Sequence, residues 1–438
     1  MPLSLKSCLQ DPLLEVMNFL NEVVLRYPAA VSFAPGRPAE IHFDVEASWE
    51  QVARYVEHRA AAAGVPAAAV YSDLGQYNRT NGIINDLIAQ QLAIDEGIHA
   101  SPESIVVTTG CQEGMVILLA GLFDAARDVL LVSDPTYIGI TGMARILGIS
   151  LLAVPSGPRG LEPADVMAAS LDVERSGRRA RAIYDIPDFN NPMGTRMPLA
   201  SRHALLAVAH RQGMLVLEDN PYGMFAYDGE RLPTLKALDE HGVVVYMGSF
   251  SKTLFPGLRL GYLVADQEVA LAGGGRAVLA AELSKVKSLT TVNTSPILQA
   301  VAGGILLENH GSLAGLMSER LSFYRANRDR MLACLAAELS GTATWNHPEG
   351  GFFLTVDLPF PFDLDCLESC ARDFGVICCP MSFFALEAGH ERQIRLSFSY
   401  VTPPQIEEGI ARLAHFVRQR AAAAAKSTAG VPTVRAQP

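Results

Sequence analysis

The sequence predicts an α/β fold with a mainly parallel central sheet. Short runs of apolar and β-branched residues, such as Ser104–Thr109 and Val243–Met247, are each followed by a polar or glycine-containing turn, which is the pattern of buried strands. Helical patterns separate several of these runs, and alternating strands and helices are typical of parallel sheets. Because such sheets bind ligands at the carboxyl ends of their strands, the turns after the runs are the first candidates for a functional site.

Length and charge limit the class of protein. The 438 residues exceed a typical domain about twofold, so we expect one large domain with smaller flanking pieces. The 35 basic and 46 acidic side chains give a net charge of −11, which argues against a nucleic-acid partner. No apolar stretch reaches about 18 residues and the N-terminus lacks a signal pattern, so we predict a cytoplasmic protein without a membrane partner.

Cysteine usage indicates reduced thiols rather than disulfides. The cysteines are odd in number and lie in apolar segments: Cys8, Cys111, Cys334, Cys366, Cys370, Cys378 and Cys379. A metal site formed by the last four is disfavoured, because no histidine lies close to them in sequence and their segment reads as a helix followed by a strand. We therefore predict no metal.

The N-terminal part begins with a helix and a short strand. Asp11-Pro12 is a helix start, and apolar residues follow at helical spacing as far as Val24. The segment Val31–Pro38 reads as a short strand that enters a turn. From Trp49 to about residue 98 the pattern is helix, irregular link and helix, and Tyr71–Tyr77 form the link.

A glycine turn between a strand and a helix predicts an anion site. The strand Ser104–Thr109 turns at Gly110-Cys111-Gln112 into a predicted helix over Met115–Phe123. The backbone N–H groups and the positive dipole end at such a helix N-terminus favour phosphate. A plain strand-to-helix turn is the alternative.

The next strand ends carry an aromatic and an amide side chain. Val129–Val132 leads to Tyr137, which can stack on an aromatic ring or serve as a core tyrosine. Ala182–Ile186 leads to Asn191 in an Asn-Pro-x-Gly sequence, which by itself is a common turn.

A carboxylate follows the strand after that. A helix over Leu199–Gln212 leads into the strand Met214–Leu217, which delivers Asp219 and then Tyr222. A buried carboxylate favours the cationic form of a neighbouring nitrogen, so Asp219 can keep a ring nitrogen protonated. Helix capping by Asp219 is the alternative.

The stretch around Lys252 carries the reactive group. It follows the apolar run that ends at Met247, so Lys252 emerges on a loop past a strand end. A lysine held among packed neighbours can lose its proton, and the neutral amine can attack an aldehyde to form a Schiff base. Ser249 and Ser251 add hydroxyls, and Arg259 adds a planar guanidinium whose N–H donors are suited to phosphate. Without the sequence that follows, an exposed loop is the simpler interpretation.

With its continuation Gly-Leu-Arg-Leu-Gly, the stretch 248–261 resembles the Schiff-base segment of fold-type I aminotransferases of class I/II. The resemblance covers residues about 10 to 420 and is strongest to the kynurenine/aminoadipate branch. It implies a pyridoxal 5'-phosphate enzyme with Lys252 as the catalytic residue. It assigns cofactor binding to Gly110, Cys111, Gln112, Tyr137, Asn191, Asp219, Tyr222, Ser249, Ser251, Lys252, Arg259 and Tyr71, and substrate binding to Gly36, Arg37, Asn191 and Arg395.

Two positions depart from the family pattern. Cys111 stands where members often carry serine, so a backbone N–H is kept and a hydroxyl donor is lost. The resemblance also places a tyrosine against the cofactor phosphate of the other subunit; because the spacing from Tyr71 to Gly75 and Gly82 is looser than in the family, which tyrosine this is stays open, and Tyr71 is preferred. That contact implies a homodimer.

The resemblance also implies a domain arrangement. Residues 1–45 form an arm of a small α+β domain, 46–305 the large cofactor-binding domain, 306–420 the rest of the small domain and 421–438 a disordered tail. Ala270–Gly304 reads as helical with a break at residues 273–275, and a long helix stops at Gly341. Gln393–Phe398 reads as a strand that carries Arg395, whose fork matches an α-carboxylate.

The reaction implied is ping-pong transamination between an L-amino acid and a 2-oxo acid, in which Lys252 also moves the α-proton. Residues 17–23 and 32–38 look similar to aminotransferases of nonribosomal-peptide pathways that make arylglycines or other unusual amino acids, so antibiotic biosynthesis is the expected setting. Racemisation, elimination or oxidation at the same site is the alternative. A transcription regulator of this fold is less favoured, because the aminotransferase pattern begins near residue 11.

Arg37 has two interpretations. It precedes Pro38, which restricts its backbone to an extended geometry. Its side chain either points into the substrate pocket and meets a polar or anionic group there, or pairs with Glu40 or Asp44 and only fixes the arm.

Overall fold

The computed structural model describes residues 3–429, and their side chains except those of residues 12–13, 17–21 and 424–429. The helices are α1 Pro12–Arg26, α2 Ser48–Ala63, α3 Ala67–Leu74, α4 Asn85–Asp95, α5 Gly110–Leu122, α6 Ile138–Leu147, α7 Pro163–Arg175, α8 Leu199–Arg211, α9 Leu235–Leu238, α10 Phe250–Thr253, α11 Leu279–Thr290, α12 Pro296–Glu308, α13 Ala314–Leu339, α14 Leu364–Phe374 and α15 Pro403–Ala429. Short 3₁₀ turns lie at Ser7–Gln10, Glu40–His42, Pro102–Ser104, Pro256–Leu258 and Met381–Phe383.

The strands are β1 Val31–Ser32, β2 Ile105–Thr108, β3 Asp128–Asp134, β4 Ser150–Gly157, β5 Gly160–Leu161, β6 Arg179–Asp185, β7 Leu215–Asn220, β8 Val244–Ser249, β9 Gly261–Val264, β10 Glu268–Ala270, β11 Arg276–Val278, β12 Thr344–Trp345, β13 Phe353–Asp357, β14 Val376–Ile377, β15 Cys379–Pro380 and β16 Gln393–Ser397.

An eight-stranded sheet forms the centre, in the order β2-β9-β8-β7-β6-β3-β4-β5. Its middle strands β8, β7, β6, β3 and β4 are parallel, whereas β9 runs antiparallel to both of its neighbours. Every residue of β3 is buried, and alternate residues of that strand belong to different core clusters: Leu130 and Val132 to one, Val129 and Leu131 to the other. Apolar packing on both faces confirms the predicted α/β fold with a mainly parallel sheet.

Two smaller sheets hold the rest of the chain together. Strands β12-β13-β16-β15 form an antiparallel sheet, and β1 pairs in parallel with β14 through Val31 opposite Val376 and Ser32 opposite Ile377. The short N-terminal strand is thus joined to the C-terminal part of the chain. This pairing supports the assignment of residues 1–45 to the small domain, whose boundaries stay predictions.

Two segments near the centre of the chain differ from the sequence prediction. Tyr71 lies in α3 and not in an irregular link, because the alanines that begin this helix have high helix propensity. The segment predicted helical from Ala270 begins instead as the antiparallel hairpin β10–β11. Gly274 and Gly275 in its turn have φ angles of +86° and +88°, which glycine adopts without steric cost.

The C-terminal helix is longer than predicted. The sequence predicted disorder from Ala421, but α15 continues to Ala429. Its residues 421–425 are all alanine, the strongest helix former, which explains the extension. The remainder of the predicted tail, residues 430–438, lies outside the described residues.

Candidate active site

Carboxyl ends of neighbouring strands bring the predicted residues together. In the order of the sheet, β8 leads to Lys252, β7 carries Asp219 and β6 is followed by Asn191. The ends of β3 and β2 add Tyr137 and Gly110. Because the parallel strands point the same way, these side chains lie along one edge of the sheet.

Lys252 lies in the one-turn helix α10 directly after β8, whereas the sequence predicted a loop. Its Nζ donates a hydrogen bond to the carbonyl oxygen of Gly36 at 2.9 Å. Burial lowers the pKa of Lys252 to about 8, and the positive charge of Arg259 acts in the same direction. A substantial fraction of this amine is therefore uncharged near neutral pH.

The two carboxylate oxygens of Asp219 differ, because a hydrogen bond holds only one of them. The residue is 3% exposed, and its Oδ2 accepts a hydrogen bond from the Tyr184 hydroxyl at 2.7 Å. Its Oδ1 is buried without a hydrogen-bond partner among the described residues. Burial raises the pKa of Asp219 to about 6, against the lowering effect of Tyr184, so the carboxylate is ionised at neutral pH. A buried carboxylate oxygen without a donor is costly and suits a cationic N–H group.

The start of α5 meets Arg259 where the sequence predicted a phosphate site. Gly110 has a φ of +75°, and a Cβ at this position would lie 2.7 Å from Arg259 Nη2. Glycine is required here by both the backbone angle and the close approach. Arg259 makes no hydrogen bond or ion pair with the described residues of the chain. An exposed guanidinium beside free helix N–H groups is a strong anion site.

The two serines beside Lys252 have different surroundings. Ser249 caps α10, since its Oγ accepts a hydrogen bond from the backbone N–H of Ser251 at 3.2 Å. Ser251 itself is buried, 9% exposed. Gln112 is exposed on the first turn of α5, two residues after Gly110.

Cys111 shows what replaces the missing serine. Its thiol donates to the carbonyl oxygen of Gly248 at 3.4 Å, and burial raises the pKa of the thiol well above its ordinary value. The side chain is therefore a protonated thiol that is directed to the protein backbone. Gly261 packs so closely here that a Cβ would lie 2.9 Å from the Cys111 nitrogen.

Arg395 is a buried cation that has no carboxylate partner among the described residues. It is 4% exposed, and it forms no ion pair with the described residues. Its Nη1 donates to Asn191 Oδ1 at 2.6 Å and its Nη2 donates to the carbonyl oxygen of Ala34, while Nε has no partner in the part of the chain that the structure describes. The guanidinium contacts the rings of Phe353 and Phe384, 4.3 and 4.6 Å from their centroids. Burying such a charge with neutral partners is costly unless an anion joins it.

Two tyrosines border the same space. Tyr222 is buried and meets the rings of Phe352 and Phe353 edge-on, at 5.4 and 5.7 Å. Tyr137 precedes α6, and its ring covers Gly139, where a Cβ would lie 2.3 Å away. Burial raises the pKa of Tyr137 to about 12 and that of Tyr222 still further, so both remain protonated phenols.

The arm places Gly36 in the site and Arg37 at its margin. A Cβ at Gly36 would lie 2.1 Å from the Phe353 ring, so only glycine fits. The Arg37 side chain is 52% exposed, with Nη1 3.7 Å from Glu40 Oε1 and the guanidinium 4.7 Å from the centre of the Tyr400 ring. Of the two interpretations, this geometry matches the one in which Arg37 fixes the arm.

Tyr71 does not reach these groups within one chain. It lies on α3 with half of its surface exposed, and its hydroxyl makes no hydrogen bond to a described residue. Its predicted role needs a second subunit.

Several supporting residues were not predicted from the sequence. Tyr184 reads as part of a buried strand, and Phe384 follows a short 3₁₀ turn that no motif marks. Lys287 is fully buried and pairs with Glu113 at 2.9 Å, and Glu113 also accepts the N–H of Thr109 before α5. A lysine amid polar helix residues gives no sequence signal of burial; the pairing is visible only in three dimensions.

These features fit pyridoxal phosphate. The α5 start with Arg259 can hold a phosphate, the unpartnered Asp219 oxygen can hold a protonated ring nitrogen, and Lys252 offers an amine of lowered pKa for an aldehyde. Among the described residues, no three metal-ligating side chains come together and no helix is long and apolar enough to cross a bilayer.

Comparisons with known proteins show the family of the chain. The family model described as aminotransferase class I and II matches residues 69–413. The chain is 46% identical to a (S)-3,5-dihydroxyphenylglycine transaminase from Amycolatopsis orientalis, over 95% of this chain and 94% of the relative, and 30% identical to a 2-aminoadipate transaminase from Thermus thermophilus, over 88% and 89%. It is similar in structure to the Pyrococcus horikoshii kynurenine aminotransferase, with a TM-score of 0.80, 27% identity, and 96% of this chain and 95% of the other covered.

The matched region contains every strand of the central sheet and all the predicted site residues except the two of the arm, Gly36 and Arg37. The resemblance to fold-type I aminotransferases and the prediction of pyridoxal phosphate as cofactor are both confirmed by these matches. The chain is a pyridoxal phosphate-dependent aminotransferase and belongs to the aminotransferase class I and II family.

Proposed function

We propose that this aminotransferase exchanges an amino group between an L-arylglycine and a 2-oxo acid. The observation that carries the proposal is the 46% identity, over nearly the whole chain, to a transaminase of (S)-3,5-dihydroxyphenylglycine. Aromatic side chains around Arg395, including Phe353, Phe384 and Tyr222, support a substrate whose ring is attached directly to the α-carbon. Antibiotic biosynthesis is the corresponding setting, and the free thiols of all the cysteines support a cytoplasmic location.

The residues that would hold the cofactor then have the following roles. Pyridoxal phosphate, when bound, supplies an aldehyde for an amine to attack and a ring that withdraws electrons from the bond to the α-proton. Lys252 Nζ, uncharged in part, is the nucleophile, and it afterwards accepts and returns the α-proton. Asp219 Oδ1 holds the ring nitrogen, and Arg259 with the start of α5 holds the phosphate.

The substrate is oriented by its carboxylate. Arg395 is buried, positively charged and already bonded to Asn191, so the two side chains form one rigid donor surface. A carboxylate that joins Arg395 supplies the counter-charge that the described residues lack. Binding there directs the α-carbon of the substrate toward Lys252, and the aromatic neighbours exclude water.

A substrate panel tests the function. The reconstituted enzyme is given 3,5-dihydroxyphenylglyoxylate, phenylglyoxylate, phenylpyruvate or 2-oxoadipate with a set of amino donors, and each new amino acid is measured by chiral chromatography. We expect kcat/KM for the two glyoxylates to exceed that for phenylpyruvate by about tenfold or more, since one methylene is worth about 10- to 200-fold in a shaped pocket. A preference for 2-oxoadipate would contradict the proposal. Formation of D-amino acid, or of keto acid without a matching new amino acid, would indicate racemisation, elimination or oxidation.

We further propose a homodimer in which Tyr71 completes the partner's cofactor site. Tyr71 is half exposed and its hydroxyl has no hydrogen-bond partner among the described residues, which supports a contact outside the chain. Light scattering is expected to give the mass of two chains, and Tyr71→Phe is expected to weaken cofactor binding about tenfold through the loss of one charge-assisted hydrogen bond. Tyr77→Phe is made in parallel, because Tyr77 is the other exposed tyrosine of the segment 71–77, and a loss for Tyr77→Phe alone would assign the contact to Tyr77. A fully active monomer would refute the proposal.

The pKa of Lys252 predicts how cofactor uptake depends on pH. Because only the neutral amine attacks an aldehyde, the rate of pyridoxal phosphate incorporation into apoenzyme should rise about tenfold per pH unit and level off above about pH 8. The folded-state pKa lies below the ordinary 10.5, so this group also makes the apoprotein more stable as the pH rises from about 8 to 10.5. Stopped-flow absorbance measures the rate, and a midpoint near 10.5 would show that the lysine is not desolvated.

Replacement of Arg37 tests whether its side chain contributes to substrate specificity. The structure predicts that Arg37→Leu lowers kcat/KM by a similar factor for an arylglycine with ring hydroxyls and for unsubstituted phenylglycine, because the side chain contacts Glu40 and Tyr400 of its own chain. A loss of about tenfold or more, about 1.4 kcal/mol, for the hydroxylated substrate alone would assign it to specificity instead. Glu40→Gln removes the same ion pair and serves as the matched control.

A further inference from the structure

The partner of Asp219 on the next strand is placed to control its charge. Tyr184 on β6 lies opposite Leu217 on β7, so its side chain emerges on the same face as Asp219 two residues further on. Tyr184 is fully buried, and its hydroxyl donates to Asp219 Oδ2 at 2.7 Å. Since Oδ1 has no hydrogen-bond partner among the described residues, the bond from Tyr184 leaves the carboxylate with one oxygen held and the other available.

We propose that Tyr184 is a positioning residue that keeps the proton shared between Asp219 and the pyridine ring of the cofactor on the ring nitrogen. The proposal rests on the role proposed above for Asp219. It adds that Asp219 alone does not determine where the proton lies.

The reason is a competition between two bases in a buried site. A carboxylate without water around it gains proton affinity, and burial raises the pKa of Asp219 accordingly. A donor to Oδ2 stabilises the anion and lowers that affinity, so the ring nitrogen keeps the proton. Burial and the charge of Asp219 raise the pKa of Tyr184 well above its ordinary value, so the phenol remains a donor.

The other neighbour of Asp219 is a weaker candidate for this role. The thiol of Cys111 also interacts with the carboxylate, but it has a single proton and donates to the carbonyl oxygen of Gly248. A thiol is in addition a poorer donor than a phenol. Tyr184 is therefore the group whose removal should matter most.

The test compares Tyr184→Phe with Tyr246→Phe. Tyr246 is also buried, on β8, and its hydroxyl accepts from Asn220 at 3.1 Å, so its removal deletes a buried hydroxyl that is not bonded to Asp219. Each apoenzyme is reconstituted with pyridoxal phosphate carrying ¹⁵N in the ring, and the nitrogen shift is measured by solid-state NMR. We expect the signal of Tyr184→Phe to move toward that of a neutral pyridine and the signal of Tyr246→Phe to match the wild type.

Cofactor affinity gives a second readout. Tyr184→Phe is expected to bind pyridoxal phosphate about tenfold more weakly, and to bind the 1-deaza analogue, which has carbon in place of the ring nitrogen, with wild-type affinity. An unchanged nitrogen shift, or equal losses for both compounds, would overturn the proposal and leave Tyr184 a structural residue.

Two further variants separate the possible failures. If Asp219→Asn leaves the nitrogen protonated as in the wild type, the proposed role of Asp219 is wrong; if only Asp219→Asn deprotonates it, the role of Tyr184 is wrong. Should Tyr184→Phe not fold, 3-fluorotyrosine at position 184 supplies a more acidic phenol. In that protein the cofactor ring nitrogen is expected to be at least as protonated as in the wild type. A shift of its signal toward that of a neutral pyridine would overturn the proposal.

Discussion

Replacing Lys252 with alanine is expected to lower kcat by on the order of 10⁴-fold, the upper range for the loss of a general acid–base group, with the fold intact. The amine is both the proposed nucleophile and the proton carrier. The other lysines whose side chains are described bond to residues outside the site: Lys6, Lys236, Lys285 and Lys287. Removing a desolvated amine should not destabilise the protein, because its burial already opposes the charged form. Circular dichroism and thermal unfolding check the fold.

Mass spectrometry after borohydride reduction checks the chemistry of this variant. The reagent should attach the cofactor to the wild-type chain at Lys252 and should attach nothing to the alanine variant. Lys252→Arg is the matched control, because it keeps a long cationic side chain that cannot lose its proton, and it should be equally inactive. Attachment of the cofactor to the alanine variant would show that another residue is the nucleophile.

Replacing Arg395 with leucine is expected to lower kcat/KM for α-amino acids by about 10²- to 10³-fold, about 3 to 4 kcal/mol, as for the loss of one partner of a buried charge pair. The guanidinium lacks a counter-ion among the described residues and its Nε is unpaired, so the substrate carboxylate is the proposed partner. The loss should appear in both half-reactions, because amino acid and 2-oxo acid carry the same carboxylate.

An amine without a carboxylate is the control for Arg395. Wild type and variant should react with phenylglycinol at similar, slow rates, since that compound gives the arginine nothing to bind. Arg395→Lys should recover only part of the loss, because an ammonium group lacks the planar fork that pairs with two oxygens. Equal losses with and without the carboxylate would show that Arg395 only supports the sheet.

The site residues that lie at strand ends could be predicted from the sequence. Lys252, Asp219, Asn191 and Gly110 each follow an apolar run, and a parallel sheet brings such positions together without further information. Local glycine and proline patterns located the turns, and the resemblance to fold-type I aminotransferases assigned a role to each of these residues.

The sequence could not reveal contacts between distant segments. Phe384 stacks on Arg395, and Tyr184 bonds to Asp219, through pairings that depend on sheet order and register. The helix boundaries near Tyr71 and Ala421 were missed for a different reason, because runs of alanine form helices even where no amphipathic pattern is present.

The pairing of β1 with β14 bears on the order in which a ribosome can produce a working enzyme. The paired strands of the large sheet lie between Ile105 and Val264 and can assemble while the chain is still growing. Val31 is made much earlier, but it must wait for Val376 before it has a strand to pair with. Gly36, which accepts the hydrogen bond of Lys252, lies four residues after the end of β1, so the lysine gains its final surroundings only near the end of translation.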